Sequence, residues 1–323
     1  PQTATEADGR LEREERFSEA LSGLEEQLAD LPSFTEVDRY LLSNNDIPPE
    51  ALAKLDTGKA PRSSYLSSDA SKIQVFVLFG LDGVNSSDSV MLVALDRVHQ
   101  KIKLISLARD SYVFVPEFAS FSKLAYSYTW GGAAMAVKNL NYNYYLNVSD
   151  YIAVDFDQLA QIIDRIGGVT VNIDEDEARY LSGYPNVHVG DCLLDGETAV
   201  SYARIRKSSA TDSDRKRTGR QREVILSILN TLQTMPLSQY PGFVRDCLGM
   251  CATSFEAETL LTMAAETLGQ NYTVEQYFFP EGQVDWWAGL IKEYFYYVYD
   301  LRRASDRIYR IIYEELYISG YDD

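Results

Sequence analysis

Histidine and cysteine are scarce, two and three in 323 residues. Cys192, Cys247 and Cys251 are too few and too irregularly spaced for a disulfide framework. With no paired C-x-x-C and only two histidines, the common zinc layouts are excluded as well. Cys247 and Cys251 stand four apart beside Gly249, where a local bridge and two buried free thiols are the alternatives. No run of 18 or more apolar residues occurs and no signal peptide is recognisable, so nothing in these residues reads as a membrane span.

Positive charge is also short. Thirty Lys and Arg face 48 Asp and Glu, a formal net charge of -18, which excludes a general phosphate-tracking surface and with it a nucleic-acid partner. What is present is a 46% hydrophobic fraction, ample for a core, in a length that fits one large domain or two average ones.

Against that acidic background one stretch is basic. From Arg204 to Arg222 there are eight cations (Arg204, Arg206, Lys207, Arg215, Lys216, Arg217, Arg220, Arg222) and two acids, Asp212 and Asp214, a local charge of +6. At about 100° per residue, Val224, Ile225, Ile228 and Leu232 share a helix face, and Arg217, Arg220 and Gln221 continue it toward the N-terminus, whereas Arg222 and Glu223 point elsewhere. Guanidinium groups on a core-facing stripe need an anion or carboxylates to neutralise them, and their planar fork suits phosphate. Pairing with some of the many acids is the competing reading. Asp212 and Asp214 either neutralise arginines or bring in a divalent cation that shields phosphate oxygens.

Along the chain, Leu11 to Leu31 reads as an amphipathic helix ended by Pro32, Phe34 to Leu55 as two short helices, and the segment before Lys72 as a loop. Strands are expected at 73–80, 89–96 and 101–108, the last two as a hairpin. Asp82 and Asp88 then lie on loops at strand ends, where a metal ligand and a plain turn former are the alternatives. A Gly turn precedes a helix near 133–140, and strand, helix (156–166), Gly-Gly stop and strand follow as a crossover unit. After Leu232 the chain is expected to be mostly helical to Gln270, with breaks at Pro236, Pro241 and Gly249. A strand at 294–299 and a closing helix end it, Tyr-rich and packed on the core rather than open to sugars. These elements predict an α/β sandwich with helices on both faces.

The landmarks, in this order, resemble the LytR-CpsA-Psr family of bacterial cell-envelope enzymes from about Ile73 to Leu232, and more loosely over the closing strand and helix. LFGLD ending at Asp82 and SSDSVML containing Asp88 resemble the family's acidic strand ends; SLARD places its phosphate-binding Arg at Arg109, followed by Asp110. KLAYSYTWGG puts Lys123 in the family's Lys position. LDGETAVSYARIR gives Arg204 and Arg206, and DSDRKRTGRQ gives Asp212, Asp214, Arg217, Arg220 and Gln221. The pattern departs at Ser86 (Arg in the family), Ala108 (Pro), Ala125 (Asn) and Arg215-Lys216 (commonly Phe-Gly).

The resemblance implies a central mixed β-sheet with helices on both faces and extra N-terminal helices. It implies an N-terminal helical segment or linker at 1–70 that follows a removed membrane anchor, and a catalytic domain at 71–323. The implied activity is a Mg²⁺-dependent phosphotransferase, which moves a phosphoglycan from a polyprenyl pyrophosphate carrier to peptidoglycan on the outer face of a cell membrane. Arg109, Lys123, Arg204, Arg206, Arg217, Arg220 and Gln221 would hold phosphate. Asp88 and Asp82 would bind the metal, and Arg109, Asp212 and Asp214 would serve catalysis. A pyrophosphatase and a non-catalytic polyprenyl-phosphate-binding envelope protein are the rival readings. A lipid chain must also be covered, so an apolar channel is expected beside Arg204 and Arg206, walled by the helices at 133–140, 156–166 and 224–232.

Overall fold

The computed structural model describes residues 31–58, 62–66, 68–83, 86–206, 210–268, 272–282, 284–313 and 317–319. The helix expected from Leu11 falls on residues 1–30, outside the described residues. The described chain opens with two short helices, α1 (Phe34–Val37) and α2 (Pro49–Leu52), and a strand, β1 (Arg62–Leu66).

Three apolar runs then form β2 (Ile73–Leu81), β3 (Ser87–Asp96) and β4 (Lys101–Leu107), paired antiparallel in sequence. Successive side chains of a strand point to opposite faces, so Val77 and Phe79 enter one core and Phe76 the other. Covering both faces is why the run alternates so little. A hairpin of β5 (Tyr112–Val115) and β6 (Ser120–Lys123) leads into α3 (Tyr126–Tyr144). That helix is broken where Gly132 takes φ 60°, a left-handed conformation that only glycine adopts without strain. Next come β7 (Asp150–Asp155), α4 (Phe156–Arg165) and β8 (Val169–Ile173). The expected crossover is corrected here: β7 joins the central sheet, but β8 turns away and pairs with β9 (Gly190–Leu194), with α5 (Glu175–Tyr180) in between.

This hairpin makes its own core with α4, α6 (Gly196–Ala203) and the long α7 (Ala210–Thr234), through Ile163, Val171, Leu194, Tyr202 and Val224. Gly196 of the LDGE motif lets α6 approach α4, since a Cβ there would lie 2.1 Å from the Ala160 carbonyl oxygen. The rest of the chain supplies α8 (Tyr240–Leu248), β10 (Ala252–Thr253), α9 (Ala257–Leu268), β11 (Thr273–Phe279), the hairpin of β12 (Trp286–Ile291) and β13 (Tyr294–Tyr299), α10 (Leu301–Tyr313) and β14 (Tyr317–Ser319). Pro241 stands in the first turn of α8, where its missing N–H costs nothing, so it begins a helix instead of breaking one.

The central sheet has six strands in the order β10-β7-β2-β3-β4-β11 and is mixed: β2–β7 and β4–β11 are parallel, the other pairs antiparallel. Helices α3 and α10 cover one face, through residues such as Val137, Leu140, Ala304 and Ile308. The other face meets α7 and α9 through Ile225, Leu229, Leu260 and Met263. Residues of the N-terminal segment pack on the flank, where Ile47 and Ala51 share a core with Tyr112 and Tyr296.

One charged pair lies inside the first core. Lys103 is fully buried, and its Nζ donates to Asp96 Oδ2 at 2.9 Å and to the Ile312 carbonyl at 3.0 Å. Burial alone would raise the Asp96 carboxyl, but hydrogen bonds from Lys103 and His99 outweigh it and hold the group below its ordinary value of 3.8. A depressed carboxyl stabilises the fold above its unfolded value and loses that contribution as pH falls through its folded value. Acid titration of the thermal midpoint therefore shows a loss below about pH 4 that is smaller in the Asp96→Asn/Lys103→Met double variant. An identical acid limb in both proteins would remove this pair from the account.

Candidate functional site

The basic stretch folds as its helical phase predicts. Arg217, Arg220, Gln221 and Val224 are all buried along one side of α7, and Ile225, Leu229 and Leu232 further along are half-buried. Arg222, on another side, reaches the sheet, donating to Ser106 Oγ at 2.9 Å and to Gln276 Oε1 at 3.2 Å.

Three guanidinium groups meet at one carboxylate. Arg109 Nη1 donates to Asp88 Oδ1; Arg206 Nη2 lies 3.4 Å and Arg217 Nη1 3.5 Å from the same oxygen. Asp110 extends the cluster, accepting from Lys123 Nζ at 2.6 Å and lying 3.5 Å from Arg109 Nε. Four cationic groups thus surround two carboxylates, an excess of positive charge that suits a multiply charged anion. The loop that carries Arg109 is held at several points. Ala108 N donates to the Phe279 carbonyl at 2.9 Å, Ser111 Oγ to the Ala108 carbonyl at 2.6 Å, and Ala125 N to the Arg109 carbonyl at 3.0 Å. At Ala108 and Ala125, two positions that depart from the family pattern, the contacts come from the backbone.

The members of the cluster differ in exposure. The Arg217 side chain is 1% exposed, whereas that of Arg206 is 53% exposed. Asp88 departs from the loop expectation, because it is the second residue of β3 and is buried. Replacing it therefore removes a carboxylate from beneath three guanidinium groups, and it is no solvent-facing acid that can be deleted without effect on the fold. Asp82 Oδ1 accepts from Ser86 N at 2.8 Å and closes the turn into β3.

Not every expected phosphate ligand joins this cluster. Arg220 is buried and turned to Glu177, its Nε 2.6 Å from Glu177 Oε1, while its Nη1 donates to the Ile205 carbonyl at 3.1 Å. It thereby fixes the residue between Arg204 and Arg206. Arg204 is exposed, with its guanidinium 4.4 Å from the centre of the Phe156 ring. Gln221 is buried, and its Oε1 has no hydrogen-bond partner among the described residues. Asp212 and Asp214 fall in the first turns of α7, but their side chains lie outside the described residues.

No group of three or more His, Cys, Asp or Glu that could hold a metal occurs among the described residues. The donor set here is one buried carboxylate, Asp88, in a field of cations. That does not make an all-protein cage, and a magnesium ion here would need substrate phosphates for most of its oxygen ligands.

An apolar cavity of about 310 Å³ lies between the sheet and α7, α8 and α9, lined by residues such as Phe76, Leu104, Ile162, Leu229 and Met263. Helices α4 and α7 contribute walls, as expected, through Ile162 and through Ile225, Leu229 and Leu232, but the expected opening beside Arg204 and Arg206 is corrected, since neither arginine lines the cavity. The helix at 133–140 supplies no wall, because it packs on the opposite face of the sheet, and α8 and α9 take its place. Cys247 and Cys251 are free and stand in this wall; burial pushes the Cys247 thiol up to about 12, so it is protonated and unreactive at neutral pH.

Sequence reasoning missed Glu177. Its signal was a capping box, in which Asp174 Oδ1 accepts from Glu177 N at 2.7 Å and Glu177 Oε2 from Asp174 N at 2.9 Å. That motif marks where α5 starts, but does not say which cation its acid will meet 43 residues on.

Comparison with known proteins gives consistent relatives. The profile described as the LytR_cpsA_psr family matches residues 51–308. A polyisoprenyl-teichoic acid–peptidoglycan teichoic acid transferase TagU of Oceanobacillus iheyensis is 28% identical over 227 residues, 68% of this chain and 69% of that protein. A transferase of the same name from Enterococcus faecalis is 30% identical over 149 residues, 46% of this chain and 48% of its own length. The regulatory protein MsrR of Staphylococcus aureus is 29% identical over 54% of each chain. Among solved structures, a TagT bound to LI-WTA superposes with a TM-score of 0.63 at 19% identity, covering 80% of this chain and 98% of that one. The crystal structure of B. subtilis TagT gives 0.62 at 18% identity, with 79% and 99% covered.

Proposed function

The chain belongs to the LytR-CpsA-Psr family, and from that premise we propose that it transfers a phosphoglycan from a polyprenyl pyrophosphate carrier to a hydroxyl of peptidoglycan. The observation that carries this reading is the meeting of Arg109, Arg206 and Arg217 at Asp88, on a protein that also holds an apolar cavity between sheet and helices. Three guanidiniums would grip the pyrophosphate and the cavity would cover part of the chain it carries.

In the reaction the acceptor hydroxyl oxygen bonds to the phosphorus that bears the glycan, and the bond from that phosphorus to the bridging oxygen breaks. Polyprenyl phosphate leaves with the bridging oxygen, and the hydroxyl proton passes to a base, for which Asp212 and Asp214 are the candidates. Negative charge gathers on the phosphoryl oxygens as this happens. Arg217, rigid and desolvated, is preorganised to meet that charge, and Arg206 closes over it from the solvent side. Asp88 gives up its guanidinium contacts to phosphate and would hold Mg²⁺ together with phosphate oxygens, the cation withdrawing charge from them when bound. The site belongs to the cell envelope, with the catalytic domain outside the membrane and tethered by an N-terminal anchor. No helix among the described residues is itself long and apolar enough to cross a membrane.

The test is transfer in ¹⁸O-labelled water, with a polyprenyl pyrophosphate-linked disaccharide as donor and a peptidoglycan oligomer as acceptor. Transfer yields an acceptor–phosphate–glycan product without label and one polyprenyl phosphate per product. Labelled glycan phosphate whose release the acceptor does not suppress would make the protein a pyrophosphatase. Binding of the donor with no turnover would make it a lipid-phosphate carrier.

A cavity variant probes the lipid separately. Leu229→Trp fills space in the wall and should raise KM for the long-chain donor about tenfold, with little change for a donor bearing only a short prenyl group. Equal effects on both donors would move the chain elsewhere.

A further inference from the structure

Beside the phosphate cluster lies a group of tyrosines that the reaction as described does not use. Lys123 Nζ, bonded to Asp110, sits 5.9 Å from the ring centre of Tyr126, 5.7 Å from that of Tyr294 and 5.2 Å from that of Tyr296. Tyr40 joins them from the N-terminal segment, its ring centre 4.9 Å from that of Tyr126 and 6.0 Å from that of Tyr294. Tyr296 is buried, but Tyr40, Tyr126 and Tyr294 are only partly so, and the Arg39 guanidinium lies over the Tyr40 ring, 4.5 Å from its centre. The chain of contacts Asp88–Arg109–Asp110–Lys123 ties these rings to the phosphate site.

We infer that Tyr40, Tyr126 and Tyr294 form the subsite for the acceptor saccharide, a conclusion that rests on the transferase reading above. Partly exposed tyrosines offer an apolar face to the C–H side of a pyranose ring and a hydroxyl to its rim, and the adjoining Asp110 and Lys123 supply an acceptor and donors for sugar hydroxyls. The geometry of displacement selects acceptor over donor. Attacking and leaving oxygens lie roughly in line across the phosphorus, and the leaving oxygen carries the polyprenyl phosphate, so its direction is set by the apolar cavity. That cavity is lined from one face of the sheet. Tyr126 and Tyr294 do not line it: Tyr126 packs with Val37 and Trp130, and Tyr294 with Ile47 and Tyr296, in two flanking clusters. The tyrosines thus stand apart from the cavity of the leaving group, as the attacking hydroxyl must.

The probe is a β-1,4-linked N-acetylglucosamine tetramer, titrated calorimetrically into the protein without donor, then used as acceptor in the transfer assay. Tyr294→Ala should raise Kd for the tetramer about tenfold and raise KM for the tetramer relative to KM for the donor by the same factor, whereas Tyr294→Phe, which keeps the ring, should change either by less than about threefold. Tyr40→Ala, on the other side of the cluster, should act in the same direction, so that the result does not depend on one variant folding. Unchanged tetramer affinity in both alanine variants would overturn the subsite while leaving the transferase reading intact. A rise in donor KM that matches or exceeds the acceptor effect would assign the rings to the donor glycan and overturn it too. Tetramer binding that depends on Tyr294 in a protein that transfers nothing would keep the subsite and reject the transferase.

Discussion

Arg217→Met lowers the transfer rate by about 10²–10³-fold with no loss of thermal stability, the range found when a preorganised donor to a developing oxyanion is removed. The side chain is almost fully buried and packs on the face of α7 that continues into Val224. Methionine fills much the same volume without the charge, and Asp88 keeps Arg109 and Arg206 as partners, so no buried carboxylate is stranded. The loss is therefore one of chemistry, not of folding. Arg217→Lys keeps the charge but not the planar fork, and recovers only part of the rate. Turnover within about threefold of the unsubstituted protein, at equal stability, would leave Arg217 as a structural cation with no part in the reaction.

The opposite balance is expected one turn further along the same face of the helix. Glu177→Ala strands the buried Arg220 without its carboxylate, and breaking a buried pair from one side costs about 3–5 kcal/mol. The thermal midpoint should fall by about 10 °C, since 1 kcal/mol corresponds to a few degrees in a chain of this size. Arg220→Met in the Glu177→Ala background removes the stranded charge and should restore most of the midpoint. Activity recovers less, because Arg220 also holds the Ile205 carbonyl between Arg204 and Arg206. A single variant as stable as the starting protein would show that solvent or another acid replaces Glu177.

Where the sequence carried a strong period, it also carried the structure. The apolar runs of β2, β3 and β4 have nothing to alternate with, because both faces of the sheet are covered, and they fall within two residues of the expected bounds. The phase of α7 placed Arg217, Arg220 and Gln221 inside. Phase does not say which neighbour a buried residue will meet, however. Arg217 turned to Asp88 and Arg220 to Glu177, partners from different elements, and no spacing within α7 distinguishes the two. The helix near 133–140 has an apolar stripe like that of 224–232, but only topology decides which face of the sheet it covers. The strand β11 went unrecognised because Glu275 and Gln276 interrupt its apolar residues, which is tolerable at a sheet edge paired on one side to β4. Asp88 read as a loop residue since polar Ser86, Ser87 and Ser89 surround it, yet β3 runs through Ser87. The β8 strand carried a sound local signal but joined β9, a choice set by contacts with α4, α6 and α7 rather than by its own residues.

The most direct test of the central claim, that a lipid-linked pyrophosphate is held where the three arginines meet, is a crystal structure with a prenyl pyrophosphate and Mg²⁺. The account predicts a phosphate within hydrogen-bond distance of Arg109, Arg206 and Arg217, with Asp88 freed from Arg109 and facing the cation. It also predicts the prenyl chain against Ile162 and Leu229 in the cavity beneath α7. A pyrophosphate bound elsewhere, with all three guanidiniums still on Asp88 and the cavity empty, would contradict it.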